Sequence, residues 1–382
     1  MGSEAFVYLS DGRSREAMGF TCGIVGLPNV GKSTLFNAIT SAGAPVANYP
    51  FCTIDPNVGV VTVPDRRLER LMEIFKPAKT VPTTLEFLDI AGLVRGASNG
   101  EGLGNQFLSH ICTVDAVAHI VRCFDDPNVV HVDGSVNPKR DIEIVETELV
   151  LKDLESVEHK LAEAEKHAKS GDKKSRDEAA FYARIREHLV TGRLARYFIV
   201  HTEEERHWLR DLHLLTNKPV MYVCNVHEKH YNTETDYITQ VREIAAKESA
   251  KVVIISAEVE AEIAELPEAE RGPFLQELGL QESGLNQVIR EGYDLLRLLT
   301  FFTVNPKELH AWTVPRGTTA PSAAGVIHTD FDKGFIRAEI MKYTDLNRLG
   351  SEHALREAGL LHIQGRDYFI EDGDVMFVRF NV

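Results

Sequence analysis

Cysteine is sparse: five in 382 residues, with no C-x-x-C spacing among them, which excludes a disulfide framework and a structural zinc site. Cys22, Cys52, Cys112, Cys123 and Cys224 sit mostly in or beside apolar runs, as reduced, buried thiols of a cytoplasmic protein do. No apolar stretch approaches the roughly 18 residues that a membrane span needs. Positive charge is short too. Lys and Arg number 42 against 57 Asp and Glu, a net charge of −15, which argues against indiscriminate coating of nucleic acid and against DNA as a partner. Residues 1–19 are polar and lack an apolar h-region, and residue 6 is Phe where myristoylation asks for Ser or Thr. They read as a disordered leader ahead of Met18. What remains, 43% hydrophobic and 26% charged, is an ordinary globular composition long enough for two or three domains, read as a monomer.

The rest is organised around Gly26-Leu27-Pro28-Asn29-Val30-Gly31-Lys32-Ser33, which fits G-x-x-x-x-G-K-[ST]. A strand-like run (Phe20 to Val25) precedes it and a helix-like run (Thr34 to Ile39) follows, the context this motif requires. Glycines at both ends let successive N–H groups face one anion, and the helix N-terminus adds its partial positive charge. Lys32 then reaches the outer phosphates of a nucleoside triphosphate, and the Ser33 hydroxyl is left to hold Mg²⁺.

Two further segments belong with it. Asn48 to Pro56 is a proline-bounded loop able to drape over the γ-phosphate, and Thr53, flanked by apolar residues, is either the second protein ligand to Mg²⁺ or a plain surface threonine. Thr84 to Ile90 reads as a strand ending in Asp89-Ile90-Ala91-Gly92, a D-x-x-G placed to hold Mg²⁺ through Asp89 and to offer the Gly92 N–H to the γ-phosphate. The glycine-rich stretch beyond Gly92 reads as mobile until something orders it.

Downstream, Ala116 to Cys123 reads as a strand, followed by the apolar Val129 to Val132 and by Asp141 as the N-cap of a long helix. Apolar residues at Val150, Leu154, Val157, Leu161, Ala164 and Ala168 give that helix an a/d seam. Gly171 stops it, Asp172 or Ser175 caps a returning helix, and Phe181, Ile185 and Leu189 supply the second face, so the pair reads as an antiparallel hairpin. Its tip, Lys166 to Arg176, holds five basic residues and one acid. Leu214 to Asn225 and Lys251 to Ser256 read as strands. Asp89 and Asn225 stand 136 residues apart, against roughly 60 for the two crossover units expected between them, so the hairpin is an insertion. From Thr300 on, short strands and Gly/Pro turns mark a separate α+β domain, with short helices or loops at Ser322 to Ile327 and Asp345 to Ala358 and a connecting helix before it.

Three residues that guanine-specific hydrolases use are missing. The base motif N-K-x-D is here Asn225-Val226-His227-Glu228: Val226 cannot stack as the lysine does, and Glu228 is one methylene too long, so guanine loses its advantage and adenine becomes possible through Asn225 and backbone groups. The glutamine expected after D-x-x-G is Leu93, which can neither donate nor accept. His131, in Asn128-Val129-Val130-His131-Val132, is the candidate replacement for ordering water, or else a packed strand histidine; His110 and His119 are the weaker alternatives.

The segments G-L-P-N-V-G-K-S, F-C-T-I-D-P-N, D-I-A-G-L-V-R-G-A-S, N-V-H-E and A-W-T-V-P-R-G…H-T-D-F-D-K-G-F resemble the Obg-related family of ribosome-binding ATPases, the YchF type, from about Met18 to Val382. The resemblance implies an α/β P-loop G domain over 20–273 with the helical insertion at about 141–205, a connecting helix at 274–294, and a β-grasp TGS domain at 295–378. It implies nucleotide on Asn29, Val30, Gly31, Lys32, Ser33, Thr34, Gly92, Asn225, Val226, Glu228, Ser256 and Ala257. Mg²⁺ falls on Ser33, Thr53 and Asp89, with K⁺ as a candidate activator, and Lys32 and His131 are the catalytic pair. The implied activity is slow ATP hydrolysis, preferred over GTP, switching contact with the ribosome or its large subunit in translation or stress. Against it stand a largely non-catalytic nucleotide-binding RNA scaffold, an Obg-like GTPase, and a metabolic kinase, the last lacking any visible second-substrate motif.

Overall fold

The computed structural model describes residues 20–42, 57–90, 113–169 and 172–381. The leader, Cys52, Thr53, Gly92, Leu93, His110, Cys112 and Gly171 lie outside the described residues. In chain order the described strands are β1 (Thr21–Val25), β2 (Val58–Thr62), β3 (Lys79–Val81), β4 (Thr84–Asp89), β5 (Ala116–Arg122), β6 (Val220–Asn225), β7 (Lys251–Ile255), β8 (Leu298–Val304), β9 (Glu308–Pro315), β10 (Phe335–Lys342), β11 (His362–Gln364) and β12 (Asp374–Phe380). They fall in two compact units. One combines Phe20–Val60 with Glu86–Gly292; the other combines Val61–Leu85 with Tyr293–Val382.

The first unit is built on a sheet of order β2-β4-β1-β5-β6-β7. Its β1–β4, β1–β5, β5–β6 and β6–β7 pairs are parallel. Every residue of β5 and β6 is buried, as in a parallel sheet covered on both faces. From β1 the chain moves outward one way, to β2 and β4, and from β5 the other way, to β6 and β7. The switch therefore lies between β1 and β5, and in open α/β sheets ligands bind beyond the strand ends at that point.

Between β5 and β6 the chain makes two long helices, Pro138–Ala168 and Lys173–Val190. The first is capped by Asn137, whose side-chain oxygen accepts from the Arg140 N–H at 3.1 Å, with Pro138 pre-set for the first helical position. Asp141, expected as the cap, lies inside the first turn because its carboxylate is engaged by His131 and Arg140. Asp172 caps the second helix through the Ser175 N–H at 3.0 Å. Val150, Val157 and Ala164 pack with Phe181, Ile185 and Leu189 in one apolar cluster, with Leu154 and Leu161 at its edge. The strand expected from Leu214 begins only at Val220. Leu215–Asn217 is a 3₁₀ turn, since the buried Asp153 carboxylate accepts from the Leu215 and Thr216 N–H groups at 2.6 and 2.8 Å.

The second unit holds a sheet of order β11-β10-β12-β8-β9-β3. β8 and β9 form an antiparallel pair, β12 runs parallel to β8, and β10 is antiparallel to both β11 and β12. Residues 61–85, which the sequence reading kept with the phosphate loop, belong here. β3 pairs parallel with β9, and Leu71 of the Arg66–Phe75 helix joins Phe302, Leu309, Met341 and Leu355 in the core. Arg67 pins the same helix to Asp372 at 2.8 Å. The connecting helix expected over 274–294 is interrupted: one helix, Glu268–Glu277, stops before Gly279 at φ 70°, a second runs Gly284–Leu295, and β8 follows from Leu298. No helix of the described residues is long and apolar enough to cross a membrane.

Candidate nucleotide-binding site

The phosphate loop leaves the end of β1 with Gly26 at φ 153°, Asn29 at φ 60° and Gly31 at φ 100°. Gly31 is required twice over. Its φ is unfavourable for an L side chain, and a Cβ there would stand 2.2 Å from Asn225 Nδ2. Lys32 opens the Lys32–Ala42 helix and is nearly buried, its Nζ donating to the Leu27 carbonyl at 2.7 Å. Burial pulls its pKa down to about 8, against the opposing pull of Asp89. Asp89 ends β4, paired in register with Ile24 of β1. Burial raises its pKa and Lys32 lowers it; its Oδ1 has no hydrogen-bond partner among the described residues. Ser33 and Thr34 stand exposed on the first turn of the helix.

Asn225 closes the site from β6. Its Nδ2 donates to the Val30 carbonyl at 2.9 Å, and its Oδ1 accepts from the Ala257 N–H at 2.9 Å. One side chain thus ties the phosphate loop to the start of the Ala257–Glu265 helix, which Ser256 caps through the Val259 N–H. Val226 is buried, with its N–H on the Ile255 carbonyl at 2.8 Å, and Glu228 begins the 3₁₀ turn Glu228–His230.

Beyond β5 the chain runs in an irregular segment beside the phosphate loop, not in a strand. Arg122 holds it, donating to the carbonyls of Phe124, Val129 and Asp126 at 3.1, 3.0 and 3.4 Å while its guanidinium lies 4.6 Å over the Phe124 ring. Asn29 Nδ2 donates to the Val130 carbonyl at 3.1 Å, joining the segment to the phosphate loop. His131, next along, is buried with both ring nitrogens engaged. Nε2 lies 2.9 Å from Asp141 Oδ2, and Nδ1 accepts from the Asp133 N–H at 3.1 Å. His119 is enclosed in β5, where burial, with Arg196 and Lys32 adding to it, pushes its pKa down to about 3 and keeps it neutral.

A family described as 50S ribosome-binding GTPase matches residues 21–175, and the YchF GTPase C-terminal family, described as a protein of unknown function, matches residues 298–381. The "Ribosome-binding ATPase YchF" of Escherichia coli O157:H7 is 54% identical over 365 residues, 96% of this chain and all of that protein. Its counterpart in Bacillus subtilis strain 168 is 52% identical over 367 residues, with the same coverage. The solved structure of the Schizosaccharomyces pombe YchF GTPase superposes with a TM-score of 0.84 at 38% identity, covering 96% of this chain and 99% of that one. The chain belongs to the YchF family.

In this YchF-family chain the end of β1 gathers Asn29, Val30, Gly31, Lys32, Asp89, Asn225 and Ala257 through the contacts above. Asp89 and Ser33 suit Mg²⁺: an unpartnered buried carboxylate oxygen and an exposed hydroxyl are hard oxygen donors of the kind this ion takes. Two contributors were not anticipated. Arg122 organises the segment before His131, and Asp141 holds the imidazole. An arginine in a strand whose other residues are apolar or neutral is the signal that could have found the first.

Proposed function

We propose that the chain is a slow, Mg²⁺-dependent ATPase whose nucleotide state controls contact with the ribosome. The reading rests on the phosphate loop with Lys32 in place beside an unpartnered Asp89 oxygen. The lysine supplies charge to the phosphates, Ser33 and Asp89 hold the ion, and bound Mg²⁺ neutralises charge on the phosphate oxygens.

Adenine is favoured over guanine for a specific reason. Guanine presents O6, an acceptor, where adenine presents the N6 donor. The Ala257 N–H, a donor that O6 could use, is spent on Asn225 Oδ1. Asn225 keeps one Nδ2 hydrogen beyond its bond to Val30, a donor for a purine ring nitrogen that reads both bases alike. The absent lysine at Val226 removes a further guanine contact.

His131 orders the attacking water once its ring leaves Asp141, and the Asn29–Val130 bond links its segment to the phosphate loop. The Pro138–Ala168 and Lys173–Val190 helices are the inserted hairpin, and the strands from β8 onward with their helices are the TGS β-grasp. Relatives named for ribosome binding at 52 to 54% identity support the ribosome as partner. A second reading, a non-catalytic scaffold with nucleotide as a structural ligand, draws on His131 having both nitrogens occupied. Multiple-turnover phosphate release from ATP, with Lys32→Ala as the blank, separates the two. Release that exceeds the blank and rises with ribosomes fits the switch; release equal to the blank fits the scaffold.

A further inference from the structure

At one end of the β10–β12 pair, guanidiniums outnumber the carboxylates that hold them. Arg337 and Arg379 face each other directly across the two strands, a placement of like charges that destabilises a sheet. Both turn to Glu339, Arg379 Nε at 2.9 Å and Arg337 Nη2 at 3.9 Å from its Oε1. Arg356, on the helix Glu352–Glu357, reaches the other oxygen of Glu339 at 3.9 Å and Glu352 at 2.7 Å. The Arg379 hydrogen bond, with the neighbouring arginines, holds the Glu339 carboxyl below the usual range, so it stays ionised. Three positive groups then meet two negative ones. This surplus stands out in a chain whose net charge is −15.

The surplus is presented outward. The Arg337 and Arg379 side chains are 50% and 58% exposed, and Ile363, opposite Glu339 on the edge strand β11, is 63% exposed. Guanidinium forks on rigid strands match phosphate geometry bidentately, with little side-chain freedom left to lose. A sheet that keeps two arginines opposite each other bears a local cost, which an anionic partner would offset.

We propose that the surface formed by Arg337, Arg356 and Arg379 binds the phosphate backbone of ribosomal RNA; the choice of RNA rests on the ribosome-binding reading above. The test uses the full chain carrying Arg337→Gln with Arg379→Gln, purified large-subunit ribosomal RNA and intact ribosomes as separate probes, and binding followed from about 50 to about 200 mM salt. Each lost phosphate contact removes roughly 0.7 to 0.9 from the log–log salt slope, so the double variant should bind RNA more weakly with a slope smaller by roughly 1.4 to 1.8. Arg337→Lys with Arg379→Lys keeps the charge and should keep most of the slope; equal loss in that variant makes the effect structural and overturns the proposal. Unchanged RNA affinity and slope in the glutamine variant overturn it as well. So does weakened ribosome binding with unchanged binding to naked RNA, which would assign the surface to a ribosomal protein. If the unaltered protein binds RNA through these arginines yet ignores ribosomes, the surface stands and the ribosome reading falls. If it binds ribosomes and the glutamine variant does so equally, the reverse holds.

Discussion

Asn225 Nδ2 lies 2.9 Å from the Val30 carbonyl oxygen, a bond between the end of β6 and the phosphate loop that spans 195 residues of sequence. With its Oδ1 on the Ala257 N–H, the same amide fixes two loops that must agree in position before a nucleotide can seat. Asn225→Ala strands a buried carbonyl and a buried N–H, each costing about 1 to 3 kcal/mol. The variant should unfold at least about 2 kcal/mol more easily in urea and bind ATP more weakly. Unchanged stability with unchanged affinity would mean that the two loops hold themselves.

His131→Ala should lower ATP turnover by about 10²-fold with affinity kept, the low end for loss of an acid–base group. Asp141→Asn separates the two roles of the ring. If Asp141 restrains a water-ordering histidine, weakening the bond should leave turnover equal or higher. If the pair is purely structural, both variants should lose thermal stability while single-turnover rates stay at the parent value.

Glu146 carries a pH signature. Burial, then the nearby Glu248, push its pKa from 4.5 up to about 7, against the pull of Arg196 and of the Tyr222 hydroxyl. An acid whose folded pKa is raised holds its proton in the folded state after the unfolded chain has lost it. Stability is therefore fully present below about 4.5 and falls as pH rises toward about 7. Thermal midpoints taken across this window should fall less steeply for Glu146→Gln than for the parent. Parallel profiles would show that another group governs the pair.

Lys166, Lys169, Lys173, Lys174 and Arg176 are exposed where the two long helices meet. At 1.5 Å per residue a hairpin of this kind reaches roughly 30 to 45 Å, carrying positive charge away from an acidic chain. Reversing three of these lysines to Glu should weaken ribosome co-sedimentation and flatten its salt dependence, with ATP hydrolysis in the absence of ribosomes unchanged. Full ribosome binding by that variant would remove the tip from the interface.

The phosphate loop and the strand ending at Asp89 are legible in the sequence because glycine spacing and a buried apolar run are local signals. So are the seam residues from Val150 to Ala164, whose 4-3-4-3 spacing returns in one packed cluster. Long-range choices are not legible. Lys79–Val81 is only three residues long, too short to show a period, and nothing in it names β9 as its neighbour. The helix Arg66–Phe75 shows an apolar face but not which core that face completes. Asp141 reads as the cap until His131 is seen to hold it; Asn137 caps the helix instead. Asn225 reads as a group for the base, yet half of its hydrogen-bonding capacity is turned inward on Val30 and Ala257.

ATP as the preferred nucleotide is tested most directly by calorimetric titration of the full chain with ATP and with GTP, each with Mg²⁺, under identical conditions. With Val226 buried and the Ala257 N–H spent on Asn225, ATP should bind at least as tightly as GTP. A clear preference for GTP would contradict the account and place this chain with the guanine-specific hydrolases.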